Sequence, residues 1–271
     1  MTRTVDLYAD DGGIGEPLTV VFLHSLAGNA SQWSAQLEHL RPEQRAVALE
    51  WRGHGRSGVP DDGDYSVPAA AVDVEGAVER HGLERFVLVG HSGGGLVALQ
   101  YAADHPERVA GLLLADPSGD SRKVPAEQMA PLLAALDSEA YAATIGQYWG
   151  FLLTGADPVA RARVMADLEA TPKETVVGFF KAGRDYDPLP ALRSYGGPML
   201  SVVTPINDEP FSLHNLGTGL PRTTFTGTGH WLHMDKPEEF NGILDGFLAR
   251  TSKNPLKKPS ENPQRCLHGH L

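Results

Sequence analysis

The chain has 271 residues, of which 41% are hydrophobic and 21% charged, a balance that suits a folded globular protein and not a disordered one. With 23 Lys and Arg against 34 Asp and Glu, its formal charge of −11 excludes the electrostatic footprint of a general nucleic-acid binder. A lone cysteine, Cys266, leaves no intrachain disulfide, and neither a signal-peptide core nor a run near the roughly 20 apolar residues of a membrane span is present. A cytoplasmic protein without membrane partners is expected.

From residue 1 to about 120, short β-branched runs alternate with amphipathic segments. Thr19–His24, Arg45–Glu50, Phe86–Gly90 and Val109–Ala115 read as strands whose near-continuous apolarity suits a parallel sheet covered on both faces. Helical patterns lie between them at about 31–40, 68–81 and 93–104. This alternation predicts a doubly wound α/β sheet. Over 121–194 the strand signal gives way to apolar residues at helical spacing, too long a stretch for an ordinary connection. Strands resume at Pro198–Thr204 and Arg222–Thr226, and a last helix is predicted over 236–249. The expected organisation is therefore a core of residues 1–120 and 195–250, a helical insertion at 121–194, and a flexible tail at 251–271 with Pro255, Pro259 and Pro263.

The strongest chemical signal is Gly90-His91-Ser92-Gly93-Gly94, set between a strand and a helix. A serine in so sharp a turn needs a strained backbone, and glycines two residues either side remove side chains that would collide. The turn lifts the Ser92 hydroxyl to the carboxyl edge of the sheet, where open α/β sheets bind ligands, and the helix start aims N–H groups at the same place.

Those residues, with Ala98, Ala102 and His105-Pro106-Glu107-Arg108-Val109, resemble the α/β-hydrolase superfamily. Phe22-Leu23-His24-Ser25-Leu26 with Trp33, and Arg52-Gly53-His54-Gly55-Arg56-Ser57, resemble two of that family's loops. The resemblance covers about 18–120 and 197–249, and places a cap at the helical insertion. It implies an α/β-hydrolase fold and a serine nucleophile served by a histidine base and an acid.

Ser92 is the expected nucleophile and His230, just past the last predicted strand, the base. His233 is read as pocket edge or surface, His24, His54 and His91 as packing or hydrogen-bonding positions, and His39, His81, His105 and His214 as solvated. For the acid we assign Asp208, after the 198–204 strand; Asp116, at the end of the preceding strand, is the alternative, and the order Ser, Asp, His admits both. The N–H groups of Leu26 and Gly93 are the expected oxyanion donors. Ser25 departs from the family, where glycine usually follows the histidine, and its hydroxyl either meets a disfavoured positive φ or adds a polar contact. Glu50 stands for a more usual Asp and reads as structural.

Ser25, Trp33, Tyr148, Trp149, Phe179 and Trp231 are the expected pocket residues, although about two-thirds of the insertion's large apolar side chains should form its own core. The expected substrate is a small, uncharged, partly apolar carboxylic ester or lactone, cleaved through an acyl-enzyme with no cofactor and no metal. A carbon–carbon bond hydrolase or perhydrolase would use the same residues, and a non-catalytic binding protein is the alternative from another class. The sequence sets no oligomeric state.

Overall fold

A computed structural model describes residues 4–15 and 18–252; the tail assigned at 251–271, with Cys266, falls almost wholly outside the described residues. Seven strands form one sheet: β1 (Ala9–Gly12), β2 (Thr19–Leu23), β3 (Ala46–Leu49), β4 (Phe86–His91), β5 (Val109–Ala115), β6 (Met199–Val203) and β7 (Arg222–Thr224). Their order is β1-β3-β2-β4-β5-β6-β7, with β1 antiparallel to β3 and all other pairs parallel. The edge strand β1 escaped the sequence reading because Ala9-Asp10-Asp11-Gly12 carries no β-branched or aromatic residue; its pairing to β3 holds it.

The apolar runs of β2 and β3 are buried on both faces, as their composition requires. Val21, Leu23, Val47 and Leu49 join one core cluster, and Val20, Phe22, Ala46 and Ala48 the other. The helices α1 (Ser34–Leu40), α2 (Val67–Arg80), α3 (Gly93–Asp104) and α10 (Pro237–Ser252) cover the sheet. Between β5 and β6 lie α4 (Ala126–Leu136), α5 (Tyr141–Leu152), α6 (Pro158–Ala170), α7 (Lys173–Asp185) and α8 (Leu189–Ser194). The short α9 (Leu232–Asp235) separates β7 from α10. Among the described residues no helix is long and apolar enough to cross a membrane.

Trp33 does not reach a pocket, contrary to the sequence reading. It ends the 3₁₀ turn Ala30–Trp33 and is fully buried, its ring 4.8 Å from Phe22 and stacked 4.0 Å from His233. His233 is likewise no surface residue: it is buried between Trp33, His91 and Phe240.

Candidate functional site

The turn from β4 into α3 puts Ser92 at φ 54°, ψ −120°, a conformation few non-glycine residues adopt. Close approach explains the flanking glycines. A Cβ at Gly90 would stand 2.6 Å from the Gly94 carbonyl oxygen, and one at Gly94 2.2 Å from the His24 carbonyl oxygen. The Ser92 N–H donates to the Ala115 carbonyl (3.1 Å), so β5 steadies the turn. Ser118, which sequence reasoning missed, donates its N–H to the Ser92 carbonyl (3.1 Å) and sets its hydroxyl 3.5 Å from that of Ser92.

His230 is 4% exposed, and its backbone is held from two sides. Its N–H donates to the Leu152 carbonyl (2.9 Å) at the end of α5, and its own carbonyl accepts from His91 Nε2 (3.0 Å). The ring's Nδ1 lies 2.6 Å from Asp116 Oδ2. Asp116 is fully buried one residue beyond β5, at φ 42°. Its carboxylate also accepts from the Thr204 N–H (2.8 Å) and the Thr204 hydroxyl (2.7 Å), and its N–H donates to the Val202 carbonyl (2.7 Å).

The structure therefore pairs His230 with Asp116, and the sequence-based assignment of Asp208 is corrected. After β6 the chain enters the 3₁₀ turn Pro205–Asn207, which carries Asp208 out to the surface. There its carboxylate accepts from His214 Nε2 (2.8 Å), Asn215 Nδ2 (2.9 Å) and Arg222 Nη1 (3.1 Å). Those donors, His214 first, hold the Asp208 carboxyl down to about 2. His214, expected to be solvated, has a side chain only 1% exposed and is the residue that captures Asp208.

The loop after β2 brings backbone donors to the same place. The Ser25 carbonyl accepts from the Gly28 N–H (3.1 Å) and His24 Nδ1 (2.7 Å), while the Ala27 N–H donates to His54 Nε2 (3.1 Å). Burial pushes His54 down to about 4, and burial with the nearby His54 lowers His24 well below its ordinary value, so both rings serve this loop as neutral imidazoles. Because C=O and N–H point oppositely across a trans peptide, fixing the Ser25 oxygen turns the Leu26 N–H the other way. Among the described residues that N–H makes no hydrogen bond. The Gly93 N–H, first in α3, has no intrahelical acceptor. A Cβ added at Gly93 would stand 3.8 Å from the Leu26 nitrogen, so the two donors are neighbours. The positive φ of this loop falls on Ala27 (57°) and not on Ser25, whose hydroxyl instead donates to Gln32 Oε1 (3.2 Å) and accepts from Trp231 Nε1 (3.2 Å).

Ser92, His230, Leu26 and Gly93 open onto one cavity of about 800 Å³. Ser25, Tyr148, Trp149, Phe179 and Trp231 line it as well. Leu132, Phe151 and Phe180 of the insertion line it too, and α5 and α7 also pack on each other there, the Phe180 ring lying 5.7 Å from Tyr148 and 6.3 Å from Trp149. Phe179 lies against the start of α3: a Cβ at Gly93 would come within 2.8 Å of its ring. Polar lining from Gln128, Gln147, Asn207 and Glu209 was not anticipated.

A buried histidine beside this site supplies a test by pH. Burial, reinforced by His230, pushes His233 down to about 3, and neither ring nitrogen has a partner among the described residues. An unfolded histidine takes a proton near pH 6.5 while this one stays neutral, so stability falls as pH drops from 6.5 toward the folded value. The loss from His233 between pH 7 and 5 amounts to about 2 kcal/mol. His233→Phe, which keeps the ring on Trp33, should flatten the pH dependence of urea unfolding by that amount. An unchanged slope would mean the ring is protonated in the fold.

The strained serine elbow, the histidine–aspartate pair and the Leu26 and Gly93 N–H groups thus come together at one cavity of a doubly wound sheet. The sequence pattern of the alpha/beta hydrolase fold matches residues 19–237, and the chain belongs to that family. It is 29% identical over 256 residues to the sn-1-specific diacylglycerol lipase ABHD11 of Mus musculus, covering 85% of this chain and 80% of the relative. Among solved structures it resembles Est816, described as an N-acyl homoserine lactone degrading enzyme, with TM-score 0.74 and 27% identity over 90% of this chain and 97% of that one. The enol-lactonase from Burkholderia xenovorans LB400 shares the fold, with TM-score 0.79 and 23% identity over 90% and 97% of the two chains.

Proposed function

We propose that the protein is a serine hydrolase that cleaves a small, uncharged, partly apolar carboxylic ester or lactone through an acyl-enzyme. The observation that carries this reading is the 2.6 Å contact of His230 Nδ1 with the buried Asp116 carboxylate, at a cavity shared with the Ser92 elbow. Asp116 keeps the proton of His230 on Nδ1 and leaves Nε2 free to act as base. Ser92 Oγ attacks the carbonyl carbon as His230 takes its proton, and the Leu26 and Gly93 N–H groups receive the developing oxyanion. Collapse of the tetrahedral adduct breaks the C–O bond, and His230 returns the proton to the departing alkoxide. In a lactone the released hydroxyl stays tethered to the acyl group. Water, deprotonated by His230, then attacks the acyl carbon, and Ser92 leaves with the proton.

The aromatic wall supports an apolar acyl group, and the likeness to a diacylglycerol lipase and to the lactone-degrading Est816 supports the bond. Initial rates on p-nitrophenyl esters and lactones of increasing acyl length test it, run beside Phe179→Ala. Wild type should turn over the shorter members. Because the Phe179 ring lies against Gly93, its removal should move the preferred acyl group to longer or bulkier ones, with a several-fold gain in kcat/KM there. Failure on every ester and lactone, or an unchanged preference in the variant, would count against the substrate class.

A further inference from the structure

A chain of hydrogen bonds runs from the helical insertion to the loop that carries the Leu26 N–H. Trp231 Nε1–H donates to the Ser25 hydroxyl (3.2 Å), and that hydroxyl donates to Gln32 Oε1 (3.2 Å). Gln32 Nε2 then donates to Asp167 Oδ2 (2.9 Å) on α6, and Asn29 Nδ2 donates to Asp167 Oδ1 (2.7 Å). Ser25 and Gln32 are 1% and 2% exposed, so both sit where an unmade hydrogen bond is costly. All donors point the same way along the chain and end on a carboxylate, so each bond polarises the next. The chain also accounts for the serine where the family usually has glycine: without that hydroxyl, Gln32 Oε1 and Trp231 Nε1 would both lose their partner.

We propose that Asp167 is a positioning residue which, through Gln32 and Ser25, fixes the peptide that presents the Leu26 N–H to the oxyanion, so that the insertion must be seated for the site to be complete. The proposal rests on the serine-hydrolase reading above. Asp167 touches neither Ser92 nor His230, and its effect is carried by the orientation of the Ser25–Leu26 peptide. Since the donor matters most when the oxyanion has formed, loosening it lowers kcat and leaves KM nearly unchanged.

Two single variants break the chain at different places. Asp167→Ala removes its charged end. Gly28→Ala adds a Cβ that would lie 2.5 Å from Gln32 Oε1, pushing aside the end of a flexible side chain while the backbone stays in place. Each is expected to lower kcat on a short p-nitrophenyl ester by about tenfold to a hundredfold, the scale of a displaced catalytic group, with KM unchanged. The double variant should fall no further than the worse single one, because both cut one chain. Phosphonylation of Ser92 by a fluorophosphonate, which also places an oxygen on these donors, should slow in parallel, and thermal melting shows that the variants are folded.

Unchanged kcat and labelling in both single variants, fully additive losses, or a rise in KM alone would overturn the positioning role. A wild type that the fluorophosphonate does not label at Ser92 would instead overturn the serine-hydrolase reading and this proposal with it.

Discussion

With Ser92 as the proposed nucleophile, Ser92→Ala is expected to lower kcat on any turned-over ester by as much as about 10⁶, the loss typical of removing a catalytic serine. The remaining residues explain why some rate survives. His230 should stay paired to Asp116, and the proposed donors, the Leu26 and Gly93 N–H groups, would still be there for a carbonyl oxygen, so water should react slowly in the same cavity. The fold should be untouched, because alanine is no worse than serine at φ 54° and the Ser92 N–H bond to Ala115 is a backbone one. The Ser118 hydroxyl, 3.5 Å away, is the nearest substitute nucleophile, so Ser92→Ala/Ser118→Ala sets the true background. A loss of less than a hundredfold in Ser92→Ala, measured by initial rates against this background, would place the chemistry on another group.

Asp116→Asn should cost on the order of 10⁴ in kcat, as replacing a triad carboxylate by its amide does elsewhere. Three donors converge on this carboxylate, from His230 Nδ1, the Thr204 N–H and the Thr204 hydroxyl. An asparagine has only one accepting oxygen. Its amide nitrogen must face either the Thr204 N–H, which leaves a donor against a donor, or His230 Nδ1, which drives the proton to Nε2 and removes the base. Asp208→Asn, by contrast, alters a surface carboxylate 44% exposed among His214, Asn215 and Arg222, and should leave kcat within about twofold of wild type. Steady-state rates of the two variants separate the assignments: a crippled Asp208→Asn beside an active Asp116→Asn would reverse them.

Most of the sheet could be read from the chain because a parallel strand buried on both faces writes itself as a run such as Val20-Val21-Phe22-Leu23. The elbow was legible for the same kind of reason: the steric demand at Gly90 and Gly94 is local, and the residues that satisfy it are neighbours in sequence. The acid was not. Asp116 and Asp208 follow adjacent parallel strands, and both satisfy the chain order. What separates them is the turn after β6 and the donors it finds, Thr204 for the one and His214 with Arg222 for the other. Trp33 misled because its distance from His24 places it near the loop without saying which way the 3₁₀ turn faces; it packs on Phe22 and His233. The link from Asp167 to Gln32 joins residues 135 positions apart, and no local pattern announces it.

The most direct test of the account is a single-turnover reaction with a p-nitrophenyl ester, quenched in acid and read by mass spectrometry of the digested protein. Wild type should carry one acyl group on the peptide containing Ser92, and Asp116→Asn should accumulate it far more slowly. Release of nitrophenol with no acylated peptide, or an acyl group found on Ser118 or elsewhere, would contradict an acyl-enzyme formed at Ser92.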